Sequence, residues 1–129
     1  MTLEPGRSAL DVLLVDDDRD IRDTIEQILE EDGYSVKTAV DGEDALQRLR
    51  NDGQLPRLIL LDLVMPVMDG REFLAHFAQQ RQWQEVPVVI ISSGRDAQRE
   101  ATALGAAGYL AKPIELDQLL ASVRRWVTR

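Results

Sequence analysis

Hydrophobic residues follow two alternating patterns along this chain. Short apolar runs stop abruptly at charge, and between them apolar residues recur at every third or fourth place. The runs cover residues 12–15, 58–61, 86–91 and 109–111. Runs this short predict strands buried on both faces, as in a parallel sheet. Residues 34–39 differ: Tyr34, Val36 and Thr38 alternate with Ser35, Lys37 and Ala39. That alternation predicts a half-exposed strand at a sheet edge.

The helical stretches are punctuated by caps. Ile21, Ile25, Ile28 and Leu29 recur at helical spacing, with aspartates before them and Gly33 as the stop. Asp41 caps a second helix carrying Ala45, Leu46 and Leu49, which closes near Gly53. Asp69-Gly70 opens a third, with Phe73, Leu74 and Phe77 inward. Ala97, Ala101 and Leu104 mark a short fourth, ended by Gly105. Leu116, Leu119, Leu120, Val123, Trp126 and Val127 give the fifth a wide apolar stripe. Five strands alternating with five helices predict an α/β fold with right-handed crossovers and helices on both faces of a parallel sheet. Residues 1–9, which include Pro5-Gly6, are expected to form a flexible tail, and 10–129 a single domain.

Composition narrows the function. A net charge of −8 argues against nonspecific attachment to nucleic acid or an anionic membrane, both of which favour basic surfaces. No apolar stretch approaches the roughly 20 residues that span a bilayer, and the first residues lack the apolar core of a signal peptide. Cysteine is absent, so disulfide and thiolate chemistry are excluded. A cytoplasmic location is expected. The fifth helix runs close to Arg129, so output is expected through binding to another protein and not through an appended effector domain.

Chemistry sits where the runs end. Asp16 and Asp17 follow the first predicted strand, Asp62 the third, Ser92 the fourth and Lys112 the fifth. In a doubly wound sheet the ligand site lies outside the carboxyl ends of the strands. Three carboxylates, one hydroxyl and one ammonium therefore converge on one rim. Clustered anions repel and need a cation, and hard oxygen donors suit Mg²⁺. A carboxylate beside Mg²⁺ and a lysine is suited to receive a phosphoryl group. Other polar residues read more plainly: Asp18 and Asp20 as helix-start residues, and Asp69-Gly70 as turn and cap. His76 is expected on the third helix away from the rim, and Trp83 and Trp126 in packing or an interface.

Four ordered segments carry a family resemblance. They are Leu14-Val15-Asp16-Asp17, Leu61-Asp62-Leu63-Val64-Met65-Pro66-Val67-Met68-Asp69-Gly70, Pro87-Val88-Val89-Ile90-Ile91-Ser92-Ser93 and Gly105-Ala106-Ala107-Gly108-Tyr109-Leu110-Ala111-Lys112-Pro113. Over almost its whole length the chain resembles receiver domains of two-component response regulators, above all stand-alone receivers of the chemotaxis-regulator type. The resemblance implies a flavodoxin-like sheet of order 2-1-3-4-5. It implies a phosphoacceptor at Asp62, charged by a histidine kinase or histidine phosphotransfer protein, in a protein that catalyses only its own phosphorylation and dephosphorylation. Asp17, Asp62 and the backbone carbonyl of Val64 would bind Mg²⁺ directly, and Asp16 mainly through water. Lys112 and Ser92 would contact phosphoryl oxygens, Tyr109 would move with Ser92 as the switch, and the Lys112-Pro113 bond would be cis. Val64 and Gly94 would flank the path of the water that removes the phosphate. Signalling would use the face of helix four, strand five and helix five, including Arg95, Arg99, Ala103, Tyr109, Gln118 and Ser122, toward a protein partner, from a monomer or weak dimer. Ser92 stands where Thr is more frequent, Ser93 where Ala is usual and Ile114 where Phe is common; none removes a chemical requirement. Two other readings stand beside this one. Asp16-Asp17-Asp18 contains the Asp-x-Asp of haloacid-dehalogenase-like phosphatases, and a pseudo-receiver would bind partners without ever being phosphorylated.

Overall fold

A computed structural model describes residues 10–127; the tail expected over 1–9 lies outside the described residues. The elements are β1 (Leu10–Val15), α1 (Arg19–Glu31), β2 (Val36–Ala39), α2 (Gly42–Asn51), β3 (Pro56–Asp62), α3 (Gly70–Phe77), a 3-10 turn (Arg81–Trp83), β4 (Val88–Ser92), α4 (Ala97–Ala103), β5 (Gly108–Ala111) and α5 (Leu116–Trp126). All pairings are parallel and the order is β2-β1-β3-β4-β5, with β2 at an edge as its alternation requires.

Strand periodicity divides the core. Val12, Leu14, Leu58, Leu60, Val89 and Ile91 face α1 and α5 through Ile25, Leu29, Leu119 and Val123. Leu13, Val15, Ile59 and Leu61 face the other way, onto Leu46 and Leu49 of α2, Phe73 and Phe77 of α3, and Trp83. Burying each such side chain contributes about 1.5–3 kcal/mol, so the apolar runs supply most of what holds the sheet together. A smaller cluster of Leu63, Ile90 and Ala101 lies under α4, with Tyr109 packed at its margin.

Boundaries shift from the sequence expectation at every strand: β1 starts at Leu10, β5 at Gly108 and β4 runs on to Ser92, and the larger shifts at β2, β3 and β4 follow from how backbone groups are paired. β2 starts at Val36 and not at Tyr34. Gly33, at φ +93, turns the chain out of α1, and the Tyr34 N–H is taken by the Leu29 carbonyl at 3.0 Å. β4 starts at Val88 because Val86 N–H belongs to the 3-10 turn, donating to Trp83 O at 3.0 Å, while Pro87 has no N–H to give. β3 is longer than its apolar run, from Pro56 to Asp62, because its first residue pairs with Leu10 and its last with Ile91. The expected caps form: Asp18 accepts from Asp20 and Ile21, Asp41 from Asp44, and Asp69 builds a reciprocal capping box with Glu72.

Candidate functional site

Parallel register delivers the polar residues to one rim. Val15 pairs with Leu61, Asp62 with Ile91 and Ser92 with Ala111, so the residues at or just beyond these positions are Asp16, Asp62, Ser92 and Lys112. Their tops are joined by backbone bonds: Leu63 N–H donates to Ile91 O at 3.4 Å and Lys112 N–H to Ser92 O at 3.0 Å.

Asp16 is wholly buried and Asp62 is 4% exposed. Among the described residues the cation paired with both carboxylates is Lys112, whose Nζ lies 3.2 Å from Asp16 Oδ2 and 3.2 Å from Asp62 Oδ2. The Asp62 contact has hydrogen-bond alignment. The Asp16 contact attracts as charge on charge, and Asp16 Oδ2 is left without an aligned donor among the described residues. The other oxygens are occupied. Asp16 Oδ1 accepts the Asp18 N–H at 2.9 Å, and Asp62 Oδ1 the Val64 N–H at 3.3 Å. Arg22 holds the backbone here, donating from Nη1 to Asp16 O at 2.8 Å.

One ammonium does not satisfy two buried carboxylates. Burial, then repulsion from Asp16, holds the Asp62 pKa above the usual carboxylate range, and Lys112 and the Val64 N–H oppose the shift without cancelling it. For Lys112, burial depresses the pKa, and attraction to Asp16 and Asp62 outweighs it, so the ammonium titrates above its ordinary value. Asp17 is exposed beside the pair. One carboxylate oxygen each from Asp16, Asp17 and Asp62 lies within 4.8 Å of the others. A buried oxygen with no aligned donor and three converging carboxylates fit a divalent cation such as Mg²⁺. Asp18 takes no part, since its carboxylate caps α1. The Asp-x-Asp of the phosphatase reading is therefore split between rim and cap.

The remaining expected residues have different surroundings. Ser92 is buried as the last residue of β4. Tyr109 is half-buried, paired in register with Ile90. Lys112-Pro113 is cis. Val64 is 71% exposed, and a Cβ built on Gly94 would meet nothing within 4 Å. Tyr109, Gln118 and Ser122 line a groove of about 560 Å³ over β5 and α5, whereas Arg95, Arg99 and Ala103 do not line it. His76 is exposed on α3, and Trp83 is core.

Sequence reasoning missed how the β3–α3 loop is clamped. A Cβ on Gly70 would lie 2.8 Å from Asp62 O and 2.8 Å from Leu63 Cα, so α3 presses directly on the backbone of the candidate acceptor. Gly42 opens α2, donates to Met68 O at 2.9 Å, and has equally little room for a side chain. Between these clamps Val67 takes φ +69 while 74% exposed, closing a tight turn in which Met68 N–H donates to Pro66 O at 2.7 Å. A β-branched residue in that region is strained and persists where its neighbours over-determine it. Hydrophobic patterning carries no signal for such close approaches.

Comparisons with known proteins bear on the family and the fold. Residues 12–124 match the family model described as response regulator receiver domain. Response regulator MprA of Mycolicibacterium vanbaalenii is 36% identical over 121 residues, covering 92% of this chain and 50% of the relative. The chain thus spans about half the length of the MprA relatives it matches. Protein PilG of Pseudomonas aeruginosa is 32% identical over 127 residues, covering 97% of this chain and 93% of PilG. Among solved structures, chemotaxis response regulator CheY4 of Vibrio cholerae superposes with a TM-score of 0.82 at 33% identity, covering 93% of this chain and 100% of CheY4. The receiver domain of NtrX from Brucella abortus gives 0.79 at 35% identity, covering 89% and 96%.

Proposed function

Because the chain belongs to the response regulator receiver family, we propose that it accepts a phosphoryl group on Asp62 in a Mg²⁺-dependent reaction and signals through altered protein binding. The observation that carries this reading is the single ammonium of Lys112 shared, at 3.2 Å each, by two buried carboxylates at the carboxyl ends of β1 and β3. An acidic helix start or a loop aspartate does not require that arrangement.

Asp62, Asp17 and the Val64 carbonyl would hold the metal, with Asp16 contributing mainly through water. When bound, Mg²⁺ supplies positive charge against the carboxylates and the phosphoryl oxygens. The Asp62 carboxylate attacks the phosphorus of a phosphohistidine on a histidine kinase or phosphotransfer protein. An O–P bond forms, the N–P bond breaks, and the imidazole leaves with the electron pair and takes up a proton. Lys112 passes from Asp62 to a phosphoryl oxygen, and Ser92 donates its hydroxyl to another. Both act on charge that develops during in-line transfer. Tyr109 follows Ser92 and alters the surface formed by α4, β5 and α5, where a downstream protein reads the state.

The test is intact mass after incubation with acetyl phosphate. One phosphoryl adduct is expected with Mg²⁺, none with EDTA, and none in Asp62→Asn. An adduct of equal yield in Asp62→Asn overturns the assignment. No adduct in the parent points to the pseudo-receiver reading.

A further inference from the structure

α4 is held to the fold by small side chains. Within its seven residues, Ala97–Ala103, only Ala97 and Ala101 are buried, and its N-cap Asp96 makes no side-chain hydrogen bond. Two alanines bury little area, so packing contributes little to its position. It follows directly from the rim: Ser92 ends β4, and Ser93, Gly94, Arg95 and Asp96 lead into the helix exposed. Ser92 and α4 are thus joined by a connection of four exposed residues.

One charged contact ties this helix to the other side of the site. Arg71, in the first turn of α3, makes a close ion pair with Glu100 of α4, with both Nε and Nη2 directed at Glu100 Oε2. Arg71 also lies 4.0 Å, through Nη1, from Asp69 Oδ2. Asp69 is the cap that ends the loop following Asp62. Asp69, Arg71 and Glu100 thus link the end of the β3–α3 loop to α4.

We propose that Arg71 and Glu100 form a charged strap that holds α4 in its unphosphorylated position, opposing the rearrangement that phosphoryl binding at Asp62 requires. This rests on the phosphoacceptor reading above. The strap coexists with Lys112 paired to both carboxylates, the pairing that transfer of Lys112 to a phosphoryl oxygen would break. A ligand shifts such an equilibrium only by its differential affinity for the two states. Whatever stabilises the resting state must therefore weaken binding of a phosphoryl mimic. The effect is modest, because the two side chains are 46% and 33% exposed.

The test is titration of beryllofluoride at saturating Mg²⁺, followed by amide resonances of α4 and β5. Arg71→Gln and Glu100→Gln should each raise the apparent affinity about two- to fivefold. The double variant should gain no more than either single, since all three remove the same pair. Arg71→Glu combined with Glu100→Arg should return the affinity toward the parent value. Unchanged affinity in the singles, lower affinity in either, or no recovery on charge reversal overturns the strap. A parent that does not bind beryllofluoride at all overturns the phosphoacceptor reading, and the strap with it.

Discussion

β1 carries a buried aspartate near each end, and the two are treated in opposite ways. Asp11, 8% exposed, is embedded in a reciprocal pair: it donates its N–H to Ser35 Oγ at 2.9 Å and accepts the Ser35 N–H on Oδ2 at 2.9 Å. Arg57 of the neighbouring strand lies 4.0 Å from its other oxygen. Asp16, just past the opposite end, is more deeply buried, shares its cation with Asp62, and keeps one oxygen without an aligned donor. The same residue type on one strand is structural where its demand is met inside the fold, and suited to a ligand where it is not. Burial alone does not separate them.

The comparison breaks most visibly at Asp11. Asp11→Ala removes the charge-assisted hydrogen bond from the Ser35 N–H, and should cost about 1.5–3 kcal/mol in urea unfolding, with no change in Mg²⁺ affinity or phosphorylation. A loss of Mg²⁺ binding in that variant would show the two ends to be coupled and the contrast false.

A smaller effect is expected at the exposed side of the rim. On the proposed reading Val64 and Gly94 flank the path of the attacking water; neither side chain can hydrogen-bond it, and an unoriented water loses much of the proximity advantage. Val64→Asn with Gly94→Glu should speed loss of the acyl phosphate roughly tenfold or more, about 1.4 kcal/mol of barrier. Decay of the phosphorylated protein after donor removal, with Mg²⁺ present, measures it. Equal decay rates would mean that water positioning at these residues is not limiting.

The smallest effect concerns the carboxylate itself. The folded-state pKa of Asp62 is raised, so between the ordinary carboxylate pKa and this higher value the folded protein holds more protons than the unfolded chain. The associated stability is present below the unfolded pKa and is lost as pH rises through the folded one. Asp62→Asn, which stays uncharged and keeps an oxygen for the Val64 N–H, should therefore melt higher than the parent at neutral pH in EDTA. The advantage should shrink as pH falls into the ordinary carboxylate range. Lys112 stays charged across that window, its pKa being raised. An advantage that grows toward acid pH would mean that the pair with Lys112 dominates.

Most of this architecture was legible in the chain. The apolar runs ending at Asp16, Asp62 and Lys112 located three strands and the rim together, because a buried strand must stop being apolar where it reaches ligand or solvent. Asp18, Asp41 and Asp69 were readable as caps because capping is local. What stayed hidden depends on contact between distant segments. Asp11 and Ser35 are 24 positions apart, and nothing in either neighbourhood marks the pair. The Gly42 and Gly70 clamps require knowing which backbone approaches them. Val67 at φ +69 contradicts its own local preference, so propensity reasoning assigns it elsewhere. The Arg71–Glu100 strap joins two helix surfaces that patterning treats only as exposed.

The central claim is that the carboxyl-end rim is incomplete without a cation, and a Mg²⁺ titration of thermal stability tests it most directly. The melting temperature of the parent should rise with Mg²⁺ and saturate, as binding to the folded state alone requires. Asp17→Asn and Asp62→Asn should lose most of that rise, and Asp11→Ala, though less stable, should keep it. A parent whose melting temperature does not respond to Mg²⁺, or an Asp62→Asn variant that responds as the parent does, would contradict the account.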